Sequence, residues 1–167
     1  DLSLRGYDLR VAEKNLQLYH QLSGRAGRAG KPATVYFQTF KNNSNIISQI
    51  TNSDPNKFLE KELDLRRKNS LPPFERFIAI IISGKKEKKV EELSNHLKEI
   101  LEKKLNARIL GPVVAPIIKI KNNYRYRILI RSKKSENIQK NLSTILNKFK
   151  KQSEIKLVVD VDPISFN

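Results

Sequence analysis

The sequence contains no cysteine, no methionine and no tryptophan. Without thiols, neither a disulfide framework nor a thiolate-held metal can form within the chain, which fits a reducing compartment such as the cytoplasm. No apolar run approaches the roughly 20 residues that a membrane-spanning helix requires, so no membrane partner is expected. Histidine is scarce as well: His20 and His96 both fall in helical, polar surroundings, and neither has a recognisable catalytic or metal-binding companion. A serine-nucleophile constellation, a phosphate-cradling lysine loop and a dinucleotide fingerprint are all missing. The chain by itself therefore lacks the parts of a complete enzyme. It starts at Asp1 and holds no methionine, so it is expected to be a fragment of something longer. Its 167 residues allow one ordinary domain or two small pieces.

What the chain holds in excess is positive charge, with 33 basic against 17 acidic residues and a formal net charge of +16. Such an excess favours a polyanionic partner through steering and counterion release. The alternative is a lysine-rich surface that merely solubilises. Residues 1–73 carry 12 basic and 7 acidic side chains, whereas residues 74–167 carry 21 and 10. The later part is the more basic one.

Residues 8–22 repeat Leu9, Ala12, Leu16 and Tyr19 at helical spacing, with Asp8 placed to cap the start. A glycine- and arginine-rich turn follows, and then Thr34-Val35-Tyr36-Phe37-Gln38-Thr39-Phe40 reads as a strand. This unit is too small to bury its own core, so residues 1–45 read as the last edge of an α/β domain. Residues 46–73 form a helical linker. Ile46-Ile47-Ser48-Gln49-Ile50 leads to Asp54-Pro55, a capped helix start, and Phe58, Leu59 and Leu63 supply an apolar face. Arg66-Arg67-Lys68 suits the negative end of that helix, and Pro72-Pro73 marks the boundary.

Residues 74–167 are more regular. The run Phe77-Ile78-Ala79-Ile80-Ile81-Ile82 predicts a buried strand, and residues 85–105 an amphipathic helix. A strand at 108–110 passes through Gly111-Pro112 into a second extended stretch at 113–120. A turn at Asn122-Asn123, a strand at 124–131, a helix at 135–150 and a strand at 155–161 complete the order. That order is βαββαβ, the ferredoxin-like or split βαβ unit, with two helices expected on one face of an antiparallel sheet.

Two constellations carry chemistry. In Gln21-Leu22-Ser23-Gly24-Arg25-Ala26-Gly27-Arg28 two arginines stand three apart beside glycines that let the backbone turn. Guanidinium forks meet phosphate oxygens bidentately and can stabilise a transferring phosphoryl group. A glycine-capped helix end with a basic loop is the simpler reading. In the strand at 124–131, alternation puts Tyr126, Ile128 and Ile130 towards the helices and leaves Arg125, Arg127 and Arg131 on the open face. Those arginines suit nucleic acid, or equally an acidic surface of a missing domain. Asp160 and Asp162 place two carboxylates on one face of the last strand, but further ligands are wanting, so no metal site is expected and pairing with nearby cations is favoured.

The motif Gln21–Arg28 resembles motif VI of superfamily 2 helicases. Residues 8–14, Gly30-Lys31, Val35 to Thr39, Leu65-Arg66-Arg67, Leu71-Pro72-Pro73-Phe74, Ile109-Leu110-Gly111-Pro112, Tyr124-Arg125-Tyr126 and Asp160-Val161-Asp162-Pro163 resemble, in order, the bacterial replication-restart helicases of the PriA (primosomal protein N′) family. The resemblance covers the end of a RecA-like second helicase lobe and the C-terminal domain. It implies a parent that is an ATP- and Mg2+-dependent 3′→5′ DNA helicase acting at abandoned forks and in primosome assembly. Arg25 and Arg28 match the arginines that reach the ATP γ-phosphate, Gln21 a residue ordering the nucleotide site, and Gly24 and Gly27 the turn. The family's cysteine-bound zinc is expected in the parent but not in this fragment. Arg125, Arg127 and Arg131 become candidates to face forked or single-stranded DNA. Lys133 and Lys134 become candidates to attract phosphate or the acidic tail of the single-stranded-DNA-binding protein. Primosome proteins are implied as further partners, and a monomer is expected. The other functional class, a stand-alone nucleic-acid-binding or adaptor module without a catalytic role, remains open at this stage.

Overall fold

The computed structural model describes residues 9–26, 34–36, 38, 54–149 and 154–164. The chain divides into two compact units, one of Asp1–Asp64 with Ile164–Phe166 and one of Leu65–Pro163. Among the described residues no helix is long and apolar enough to cross a membrane.

In the first unit, helix α1 spans Val11–Ala26. It runs through Gly24 and Arg25, where the sequence suggested a turn. One glycine inside a helix costs only about 1 kcal/mol relative to alanine, and the good helix formers Gln21, Leu22, Arg25 and Ala26 surround it. Arg25 sits in the last turn, where a cation suits the helix dipole. Leu16 is buried, as is Asn15, whose Nδ2 donates to Val11 O at 2.9 Å. The strand expected at 34–40 is not formed at Thr34, Val35, Tyr36 or Gln38, which take no regular structure. Asp8, Gly27, Arg28, Phe37, Thr39, Phe40 and residues 46–50 lie outside the described residues.

Helix α2 spans Pro55–Lys68. Its start is capped as the sequence suggests, with Asn56 N donating to Asp54 Oδ1 at 3.0 Å. Of its expected apolar face only Phe58 is buried, while Leu59 and Leu63 are exposed. At the other end Ser70 takes φ 53°, which lets Leu71 N return to Arg66 O at 2.8 Å.

The second unit runs β1 (Glu75–Gly84), α3 (Glu87–Lys104), β2 (Arg108–Ile120), β3 (Asn123–Lys133), α4 (Ile138–Phe149) and β4 (Ile155–Val161). The strands form one antiparallel sheet in the order β2-β3-β1-β4. Strand alternation explains the core. Ile78, Ile80 and Ile82 of β1 and Tyr126, Ile128 and Ile130 of β3 point one way, into a cluster with Val90, Leu93, Leu97 and Leu101 of α3 and Leu142, Ile145 and Leu146 of α4. Each such aliphatic side chain contributes about 1.5–3 kcal/mol on burial. The same alternation sends Phe77, Ala79, Ile81 and Ser83, with Arg125, Arg127, Leu129 and Arg131, to the opposite face.

Strand β2 is continuous, where the sequence suggested two extended pieces. It absorbs Gly111-Pro112 through a register shift between Leu110 and Val113, and a second shift falls between Val114 and Lys119. Gly111 takes φ +98°, and a Cβ there would lie 2.6 Å from Arg127 O. β2 is a sheet edge that exposes Val113, Val114, Ile117, Ile118 and Ile120 and includes Pro112 and Pro116. At the other edge, β4 ends at Val161 and Asp162 turns away with φ 54°. Asp160 and Asp162 therefore do not share a strand face. Asp162 approaches Arg76 Nε at 3.6 Å, an ordinary surface ion pair.

Candidate nucleic-acid interface

On α1, Gln21 and Arg25 are both exposed and stand one helical turn apart, which places them on the same face. Gln21 borders a cleft of about 350 Å³ with Leu16, His20, Phe58 and Leu59. Gly24 has open space where a side chain would be. Arg28 and Gly27 lie outside the described residues, so of the motif's cationic pair the structure places only Arg25.

The three arginines of β3 share a face but have three different environments. Arg125 is half-buried in a row with Ser83 and Lys156, the Ser83 hydroxyl donating to Lys156 O at 3.4 Å. Arg127 is 9 % exposed, set opposite Ile81 on one side and Val113 on the other, with Val158 beyond Ile81. Its Nε is buried and has no hydrogen-bond partner among the described residues. Burial, and secondarily the Arg125 charge, lower its pKa from the usual guanidinium value. It stays charged at any physiological pH, so an unpaired cation is held against apolar neighbours.

Arg131 is tied up inside the chain. Its Nη2 donates to Ser70 O at 2.8 Å and Asn69 O at 3.0 Å, its Nε to Glu75 Oε2 at 3.3 Å, and its guanidinium lies 5.1 Å from the centre of the Phe77 ring. This fork fastens the turn after α2 to the sheet, which leaves Arg131 little to offer a ligand. We expect Arg131→Ala to lower stability in urea unfolding by about 2 kcal/mol, because a charged donor set is lost and Glu75 is left alone. A change below about 0.5 kcal/mol, the range of ordinary surface substitutions, would mean that the fork holds nothing.

Lys133 ends β3 and Lys134 lies in the following turn, both exposed. Arg108 was not singled out by sequence. It faces Arg131 directly across β2 and β3. Without the two register shifts, the turn at 121–122 would have set Arg108 opposite Ser135, and nothing in the sequence signals the shifts' combined size. Among the described residues no group of three or more His, Asp or Glu gathers that could hold a metal ion.

The described second unit is thus a mixed α/β domain with a four-stranded antiparallel sheet, helices over one face and an opposite face on which Arg125, Arg127 and Arg131 stand among apolar residues. A family model described as "Primosomal protein N C-terminal domain" matches residues 67–164, and the chain belongs to this family. It is 38% identical over 166 residues to the replication restart protein PriA of Rickettsia conorii, a match covering 99% of this chain and 26% of that protein. The PriA of Bacillus subtilis is 33% identical over 168 residues, covering 98% and 21%, and that of Haemophilus influenzae is 30% identical over 166 residues, covering 98% and 23%. The chain therefore spans about a quarter of the length of the relatives it matches.

Proposed function

We propose that this chain is the C-terminal part of an ATP-dependent 3′→5′ DNA helicase that works in replication restart and primosome assembly at stalled forks. Residues 1–45 belong to the end of a RecA-like second lobe, in which Arg25 and Arg28 reach the ATP γ-phosphate, with Gln21, Gly24 and Gly27 shaping the site. The phosphate loop and Mg2+ ligands come from the absent first lobe. Zinc belongs to cysteines outside this chain, which itself has no thiol to offer. The second unit is of ferredoxin-like type, a reading supported by its element order and its strand order β2-β3-β1-β4. It binds forked or single-stranded DNA, and Lys133 and Lys134 draw phosphate or the acidic tail of the single-stranded-DNA-binding protein.

The observation that carries the DNA reading is Arg127. A guanidinium held largely out of water, with no carboxylate partner among the described residues and with the Arg125 charge near it, gains most from an anion brought by a ligand. Binding of labelled forked DNA to the 167-residue chain should fall steeply with salt. The pair Arg125→Glu and Arg127→Gln should weaken it at least about tenfold and flatten the salt dependence by roughly one to two counterions. Glutamine at 127 removes an unpaired buried charge, so folding should not suffer. If no binding is detectable even at low salt, the second unit is not an independent DNA-binding module, and the adaptor reading, in which the basic face meets an acidic protein surface, takes its place.

A further inference from the structure

The two edges of the sheet differ. β2 is bulged and interrupted by prolines, whereas β4 pairs with β1 in unbroken register and contains no proline. Among the described residues no strand lies beyond β4. Its outward backbone groups follow from the ladder. Asp162 N donates to Phe77 O at 2.8 Å, so by antiparallel alternation Asp160, Val158 and Lys156 also bond to β1. Ile155, Leu157, Val159 and Val161 therefore direct their N–H and C=O groups away from the sheet, a row ready to pair with another strand. Val158, Val159 and Val161 are exposed. Val159 and Val161 also line an open groove of about 230 Å³ with Leu142 and Leu146 of α4.

This edge, Ile155-Lys156-Leu157-Val158-Val159-Asp160-Val161, is complementary to itself. When a second β4 lies antiparallel to the first about a two-fold axis through Val158, Lys156 stands opposite Asp160 of the second copy, twice by symmetry. Leu157 meets Val159, Ile155 meets Val161 and Val158 meets its own counterpart, so apolar side chains oppose apolar ones. In this register the residues with outward backbone groups also face one another, as a hydrogen-bonded ladder requires. Sliding the pairing by two residues sets Lys156 or Asp160 opposite a valine, and in one direction brings Glu154 opposite Asp160. Lys156 and Asp160 are both exposed, and no ion pair among the described residues claims either. We propose that β4 forms an interface between two copies of this chain, which joins their four-stranded sheets edge to edge. The helix-side row Ile155, Leu157, Val159 and Val161 then runs on across the joint, and the groove beside α4 gains apolar neighbours. Each copy carries a net charge of +16, so this general repulsion must be screened by salt, whereas the Lys156–Asp160 contacts act at short range. The pairing uses none of the open-face arginines and needs no DNA.

The test is sedimentation of the 167-residue chain, freed of nucleic acid, over a range of concentrations at moderate salt. A concentration-dependent dimer is expected. Asp160→Lys alone, or Lys156→Asp alone, sets like charges opposite each other at both symmetric positions and should weaken the dimer at least about tenfold. Each variant should melt within a few degrees of the unsubstituted chain, because both positions are exposed. Mixing the two variants restores opposite charges at every contact. An equimolar mixture should therefore pair about as tightly as the unsubstituted chain, and so should the double variant carrying both changes. Variants that had merely unfolded could not recover on mixing. A chain that stays monomeric at every concentration and salt overturns the proposal and leaves the monomer that the family resemblance implies. A dimer that either variant leaves at full strength, or that both weaken without recovery in the mixture, uses another surface and overturns the assignment of β4.

Discussion

Replacing Arg28 with alanine in the full-length parent is expected to reduce ATP hydrolysis about 10³-fold or more and to leave DNA binding intact. Arg25→Ala should act in the same direction. A guanidinium that meets the γ-phosphate stabilises charge developing in the transition state, so its loss falls on turnover and not on DNA affinity. The simpler account makes Arg25 a cation serving the end of α1, a position it does occupy. Magnitude separates the two. A helix-end cation is worth about 0.3–1 kcal/mol of stability, whereas a 10³-fold rate loss corresponds to about 4 kcal/mol in the barrier. Turnover in either variant within about threefold of the parent would assign that arginine to local structure. The 167-residue chain alone should hydrolyse no ATP.

The second large effect is expected at Gly111. Its φ of +98° is a conformation that side chains with a Cβ rarely adopt, and the Cβ of an alanine would sit 2.6 Å from the carbonyl oxygen of Arg127. That neighbour is backbone in the central strand β3, so it cannot swing aside as a flexible side chain would. Backbone strain of this kind costs about 1–3 kcal/mol, and the clash adds to it. Gly111→Ala should therefore destabilise the chain by about 3 kcal/mol or more, a large share of the roughly 5–15 kcal/mol that holds a typical domain folded. It should also displace Arg127 and so weaken DNA binding at low salt. A urea midpoint close to that of the unsubstituted chain would show that β2 bends around the substitution.

Much of the second unit was legible because alternation and helical spacing are local. Ile78, Ile80 and Ile82, and Tyr126, Ile128 and Ile130, announce which face meets the helices, and the structure buries them there. What the pattern could not convey is what lies beside each residue on the open face. Arg125, Arg127 and Arg131 look equivalent by spacing. Yet Arg131 is claimed by two carbonyls and Glu75 some 60 residues away in sequence, and Arg127 is covered by neighbours from β1 and β2. The pairing of Arg108 with Arg131 was hidden for a related reason, since the shifts in β2 decide which residue meets Arg131. In the first unit the motif Gln21–Arg28 was conspicuous as sequence. Its glycine suggested a turn at Gly24, but one glycine is too weak a signal to stop a helix whose neighbouring residues favour continuing.

The outer edge of β2 has a consequence for how copies of the chain meet one another. An edge strand exposing five aliphatic side chains is a ready template for a second strand to zip against, the first step towards aggregation. Pro112 and Pro116 remove two amide donors from that strand, and Lys119 and Lys121 put charge at its far end. Two β2 strands brought side by side would find gaps in their hydrogen-bond ladder and repulsion at its tip. The same prolines and lysines that make β2 an irregular strand thereby act as gatekeepers against strand-to-strand pairing along this apolar edge.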